Sequence, residues 1–202
     1  DQHIINDLRP FDVSAKIKEL QEVFNQLTYS HVPIQKDGIY IGCLSETDEY
    51  CFDRNEKVED VLYAVECFFV DQSAIWLDVL DTFALNDSNL MPVLDSNHNY
   101  LGYYLLIDII SLFRNTPFFA EPGGTIIIEK AYKDYSLSEI CQIVESNNVK
   151  MLGVFVSKIK NDMVQVIIKI ENSGLSAIFE NFRRYGYTII SGHEDDRFLK
   201  TL

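Results

Sequence analysis

The sequence predicts an α/β (α+β) protein: a duplicated helix–strand–strand–helix unit, then a unit of different grammar with the order β-α-β-β-α-β. Three observations predict it. The stretch MPVLDSNHNYLGYYLLIDIISLF, from Met91 to Phe113, has a counterpart about sixty residues earlier, from His31 to Phe52, in which Pro33 answers Pro92, Gly42 answers Gly102 and Asp48 answers Asp108. Self-similarity over such a length means two copies of one supersecondary unit that bury a shared face. Next, Asn115 to Gly124 holds two prolines and two glycines within ten residues, which is linker and turn chemistry. Beyond it, β-branched runs alternate with two helical patterns instead of repeating the earlier unit.

In order, Ile17, Leu20, Phe24 and Leu27 recur at helical spacing, with Lys16, Lys18, Glu19 and Glu22 on the other face and Ser14 as the expected N-cap. His31–Ile34 and Ile39–Leu44 read as strands joined by the turn Lys36-Asp37-Gly38. Gly42 inside the second strand predicts close approach by another backbone or a ligand. Ser45-Glu46-Thr47-Asp48 then opens a short helix. Asp53 to Val70 reads as a connector with some helical content, ending in an extended Phe68-Phe69-Val70. The second copy follows: a helix capped by Ser73 with Ile75, Trp76, Val79, Leu80, Phe83 and Ala84 as its core, strands Leu90–Leu94 and Tyr100–Leu106, and a helix from Asp108.

The last part predicts a strand at Thr125–Ala131, a helix marked by Leu137, Ile140, Cys141 and Val144, and strands Val149–Lys158 and Met163–Glu171. A helix through Leu175, Ile178, Phe179 and Phe182 that stops at Gly186, and a strand Tyr187–Ser191, complete it. This order is the ferredoxin-like unit. The expected organisation is therefore a duplicated region over 1–115 (repeats about 1–52 and 68–115), a linker at 116–124 and a ferredoxin-like domain over 125–202.

The net charge of −14 argues against a nucleic-acid or anionic-membrane surface, because phosphate binding needs concentrated Lys and Arg, and only Arg183-Arg184 stand together. Cys43, Cys51, Cys67 and Cys141 form no Cys-x-x-Cys pair and lie in apolar runs, which predicts buried free thiols in a reducing compartment. No 18-residue apolar run occurs and no secretion signal is visible, so the expected location is cytoplasmic. Gly-x-Ser-x-Gly, Walker and His-Glu-x-x-His motifs do not occur, and no enzyme class is expected.

Residues 1–115 resemble a tandem pair of CBS domains, the regulatory modules of the cystathionine-β-synthase type. The residues that carry this are the Pro-Ile and Pro-Val strands and the Gly-x-x-[Ser/Thr]-x-x-Asp element, here Gly42-Cys-Leu-Ser45-Glu-Thr-Asp48 and Gly102-Tyr-Tyr-Leu105-Leu-Ile-Asp108. Residues from about 122 to 195 look like an ACT-type domain, and the combination is similar to bacterial CBS–ACT proteins of the acetoin-utilisation type. The resemblance implies a regulatory sensor that needs no cofactor and binds an adenine nucleotide (AMP, ADP, ATP, S-adenosylmethionine or NAD) in a cleft between repeats. It implies a homodimer, and a regulated protein partner.

Carried over to these positions, Ser45 would help place phosphate, Asp48 and Asp108 would bind ribose hydroxyls, and His31 and Met91 would line the cleft walls. Leu105 departs from the pattern, since it cannot donate to phosphate. The loop Lys133-Asp134-Tyr135-Ser136 lacks the Gly of ligand-binding ACT domains, which points that half to dimerisation or transmission. The same residues also read without a ligand: Ser45 with Asp48 as a helix cap, and Asp108 as an acidic helix start. A ligand-free interaction module is the alternative function.

Overall fold

The computed structural model describes residues 3–171 and 175–194. The chain divides into two compact units, Asp1–Leu112 and Phe113–Leu202. The first unit contains two successive copies of one motif. The first copy runs β1 (Phe11–Asp12), α1 (Ile17–Gln26), β2 (His31–Lys36), β3 (Ile39–Ser45) and a single turn, α2 (Glu46–Glu49). The connector is a 3-10 helix, Val58–Ala64, that kinks at Val61. The second copy runs β4 (Val70–Asp71), α3 (Trp76–Leu85), β5 (Leu90–Leu94), β6 (Tyr100–Leu105) and α4 (Leu106–Arg114). Each copy forms a three-stranded sheet in which the short first strand lies parallel to the second and the third returns antiparallel.

The helices begin later than their expected caps. Ser14 and Ser73 sit in tight turns instead, each donating both its backbone N–H and its hydroxyl to the carboxylate two residues before, Asp12 and Asp71. These hydrogen bonds hold both carboxyls below the usual carboxylate range. α1 starts at Ile17, with the Glu19 carboxylate accepting from the Lys16 N–H at 3.0 Å. The motif Asp-x-Ser-Ala, at Asp12–Ala15 and again at Asp71–Ala74, therefore belongs to the repeat as fully as the prolines do.

The expected core faces hold where they point inward. Ile17, Leu20 and Phe24 pack with Val32, Ile34 and Leu44 in the first copy. Val79 and Phe83 pack with Met91, Val93, Tyr104 and Ile109 in the second. Three residues expected on these faces are exposed: Leu27 (41%) and Ile75 (59%) because they lie just outside the helical turns that contact the sheets, and Ala84 because its side of α3 faces solvent.

Gly42 and Gly102 show why each third strand needs glycine. Their φ angles are +147° and +149°, and a Cβ on Gly42 would stand 2.6 Å from the Glu66 carbonyl oxygen; on Gly102 it would collide with the Ile5 carbonyl. The space is used by backbone. Cys43 exchanges two hydrogen bonds of 2.8 Å with Glu66, and Tyr103 exchanges bonds of 2.8 and 2.9 Å with Ile5. The copies meet about an approximate twofold relation in which equivalent residues touch. Tyr40 stacks on Tyr100 at 6.2 Å, the Ser30 N–H donates to Asn89 Oδ1 at 2.8 Å, and the Asn89 N–H donates to Ser30 Oγ at 2.9 Å.

The second unit begins with one turn, α5 (Pro117–Ala120), inside the stretch expected to be linker. It continues with β7 (Gly123–Ala131), α6 (Leu137–Glu145), β8 (Met151–Lys160), β9 (Met163–Glu171), α7 (Leu175–Arg184) and β10 (Thr188–Glu194). The sheet order is β10-β7-β9-β8, all antiparallel, as a ferredoxin-like unit requires. Ser136 caps α6, accepting from the Glu139 N–H at 3.3 Å. Ile126, Ile128, Val166 and Ile168 of the sheet bury against Ile140, Val144, Ile178 and Phe182 of the two long helices. On the strand at Gly153, the Phe118 ring of α5 occupies the room a Cβ would need and lies 5.5 Å from Phe155.

The cysteine expectation is corrected. Only Cys43 is buried, its thiol pushed up to about 12 chiefly by burial, while Cys51 and Cys67 are exposed and Cys141 is half-buried. Cys51 and Cys67 lie in loops, where the chain stays in water, and Cys141 stands on α6 with its sulfur 3.7 Å from that of Met151.

Candidate functional site

Three of the five residues singled out in the sequence converge. His31 at the start of β2, Ser45 at the end of β3 and Asp48 in α2 line one cleft of about 280 Å³ in the first unit, together with Ser30, Glu46, Thr47, Glu66, Asn86 and Asp87. The sheet register makes this meeting: His31 pairs directly with Ser45, and the Glu46 N–H donates 2.8 Å to the Ser30 carbonyl, which turns α2 over the strand ends. Glu66 arrives by the backbone pairing that Gly42 admits, and Asn86 and Asp87 arrive from the end of α3 in the other copy. The cleft is therefore built by both repeats.

Ser45 is the N-cap of α2 and its hydroxyl oxygen accepts from the Thr47 N–H at 3.1 Å. The capping reading of Ser45 thus holds together with its place in the cleft, and the hydroxyl keeps its own hydrogen to donate. His31 is 5% exposed; its Nδ1 is 2.8 Å from the Ser30 hydroxyl and its ring stands edge-on to Phe68 at 5.2 Å. Its Nε2 lies 4.0 Å from a Glu66 carboxylate oxygen. Burial lowers the His31 pKa below its ordinary 6.5, against the pull of Glu66, Asp48 and Asp87, which favour the imidazolium. A neutral ring on the cleft floor is the outcome at neutral pH.

The second copy is built differently at the same positions. Leu90 pairs with Leu105 as His31 pairs with Ser45. Asp108 is half-buried in the first turn of α4, the position that Asp48 holds in α2. The expectation for Met91 is corrected: it is fully buried in the core of the second copy, paired with Tyr104, and forms no cleft wall. The cause is register. Met91 stands directly before its proline, so its counterpart is the core residue Val32; the counterpart of His31 is Leu90.

Sequence reasoning missed Ser30, Glu66, Asn86 and Asp87. Asn86 and Asp87 belong to the polar run Asn86-Asp87-Ser88-Asn89, which ends the helix and carries no binding motif. Glu66 carried a signal in Gly42, whose need for an approaching backbone pointed to some partner segment without naming it. Glu49 was also passed over. It is 1% exposed at the position Ile109 holds in the second copy, and its Oε1 has no hydrogen-bond partner. Burial raises its pKa, with the Gln21 side chain opposing as a hydrogen-bond partner. Among the described residues no group of three His, Cys, Asp or Glu is placed to hold a metal ion, and no helix is long and apolar enough to cross a membrane.

No protein-family model matches the chain. No curated protein matches it. Solved structures do. A CBS domain pair/ACT domain protein from Thermotoga maritima matches at 19% identity and a TM-score of 0.50, over 55% of this chain and 93% of that one. The cystathionine β-synthase pair domain of a putative Mg2+ transporter from Shewanella oneidensis matches at 14% identity and 0.49, over 55% and 67%. The CBS domains of a transcriptional regulator from Streptococcus pneumoniae match at 18% and 0.46, over 55% and 99%. At such identities the likeness is one of fold. The protein is an α+β chain that shares the fold of CBS-domain pairs, and its second unit has the ferredoxin-like strand order.

Proposed function

We propose that this chain is a non-catalytic regulatory sensor that binds an adenosine-containing ligand in the cleft of the first unit. The observation that carries the reading is the convergence of His31, Ser45 and Asp48 on one cleft closed by Asn86 and Asp87 of the other repeat. A carboxylate such as Asp48 accepts two hydroxyl hydrogens, which suits the vicinal diol of ribose. Ser45 keeps a hydroxyl hydrogen to donate, and backbone groups of the proline strand offer edges for adenine. Because both repeats supply walls, a bound ligand favours one packing of the repeats over another, which is the differential affinity that a switch needs.

The second unit, in this reading, is an ACT-type module that pairs with another copy of the chain and passes the state to a protein partner in the cytoplasm. Asp108 takes no equal part, since Leu90 and Leu105 flank its element with side chains that neither donate nor accept. That half fits the alternative role of a ligand-free packing module.

Thermal unfolding with millimolar adenosine, AMP, ADP, ATP, S-adenosylmethionine and NAD tests the proposal. A rise in Tm with at least one of them, absent in Asp48→Ala, is expected. No rise with any would leave only the structural module.

A further inference from the structure

The cleft carries a charge that bears on which adenosine compound it takes. Its walls hold four carboxylates, Glu46, Asp48, Glu66 and Asp87, and none of its described lining residues is Lys or Arg. They come from three separate segments, with Glu46 and Asp48 half-buried and Glu66 and Asp87 exposed. A phosphate entering a cleft whose charged lining groups are carboxylates alone is repelled, the more so where water is partly excluded.

The neutral donors are few. The Ser30 hydroxyl is engaged with His31 Nδ1, and Asn86 commits one amide hydrogen to the Thr82 carbonyl and keeps one. Ser45 retains one O–H, Thr47 is exposed, and a His31 ring that accepts at Nδ1 keeps its N–H at Nε2 beside Glu66. α2 is one turn long and carries Glu46, Asp48 and Glu49 in that turn, so it offers a phosphate no compensating positive end. The volume, about 280 Å³, lies just under the roughly 300–1,000 Å³ typical of ligand sites. Acceptors dominate, and a matching ligand supplies hydroxyl and amino hydrogens or a positive charge.

Resting on the sensor reading above, we propose that this cleft selects adenosyl compounds without phosphate, and among them favours one bearing a cationic centre, such as a sulfonium or ammonium group, over nucleotides. Phosphate-bearing compounds enter only when a divalent cation neutralises them.

Isothermal titration of the full chain with adenosine, S-adenosylmethionine, AMP and ATP, each in EDTA and in excess Mg2+, tests it. Adenosine is expected to bind, S-adenosylmethionine at least as tightly, and AMP and ATP in EDTA at least about tenfold more weakly. Recovery of AMP binding in Mg2+ supports the proposal. In the double variant Glu66→Gln, Asp87→Asn, AMP in EDTA should come within about threefold of adenosine. AMP or ATP binding in EDTA as tightly as adenosine overturns the selectivity while leaving the sensor reading standing. Silence from all four ligands overturns both.

Discussion

From Ile41 to Tyr50 and from Leu101 to Ile110 the two repeats bury their residues to the same depths in the same order, yet they present different chemistry. Both strands carry a glycine against an incoming backbone, both end in a turn with a half-buried aspartate, and both follow a proline strand. Only the first copy has polar groups at the paired strand ends, His31 and Ser45 where the second has Leu90 and Leu105. The backbone is thus specified by positions that both copies share: the glycines, the buried aliphatic residues and the Asp-x-Ser turns. The site is specified by the few that differ. Duplication lets one copy keep the architecture while the other carries an imidazole and carboxylates that an isolated core would disfavour.

The likeness of the two repeats fails first if their cores are unequal. Phe24 and Phe83 hold equivalent places on α1 and α3, 6% and 2% exposed. Truncation of either to Ala should cost about 3–5 kcal/mol in urea unfolding. A large loss from one and almost none from the other would mean that the repeats do not share the load. Next come the glycines. Gly42→Ala and Gly102→Ala force a Cβ toward a carbonyl oxygen at an unfavourable φ, and each should lose about 1–3 kcal/mol. A neutral outcome would show that the incoming segments at Glu66 and Ile5 do not need that close approach.

The exchange of Glu49 and Ile109 sharpens the contrast. Glu49→Ile removes a buried carboxylate with an orphaned oxygen and should stabilise the fold by about 1–2 kcal/mol. Ile109→Glu should destabilise it by at least that amount. The smallest effect concerns pH. Because the folded His31 pKa lies below its unfolded value, the unfolded chain binds the proton first on acidification. The contribution is whole above about 6.5 and is lost as pH falls from there toward the folded pKa. Tm should therefore decline from pH 7 to pH 5.5, and His31→Leu, which installs the residue of the second copy, should flatten that decline. An unchanged slope in the variant would place the acid sensitivity elsewhere.

Much of the architecture was legible in the sequence, because hydrophobic period and turn chemistry act locally. Leu90–Leu94 lies where its apolar run between polar turns put it, and Met163–Glu171 where alternation did. The early helix starts were misplaced because an Asp two residues before Ser14 and Ser73 captures that serine in a turn before it can cap. Within the site, His31, Ser45 and Asp48 were legible because one strand register brings them together. Asp87 and Glu66 were not, since they reach the cleft through contact between repeats and through backbone pairing, neither of which leaves a side-chain pattern. Met91 was misjudged by one position, and in a strand one position is enough to move a side chain from cleft to core.

Under the proposed function, the first repeat binds an adenosine moiety through Asp48 and the second does not do so through Asp108. Titration calorimetry with adenosine on the wild-type chain, Asp48→Asn and Asp108→Asn tests it most directly. The account predicts one site per chain, abolished in Asp48→Asn and kept in Asp108→Asn. Binding that survives Asp48→Asn and disappears in Asp108→Asn, or no binding to the wild type, would contradict it.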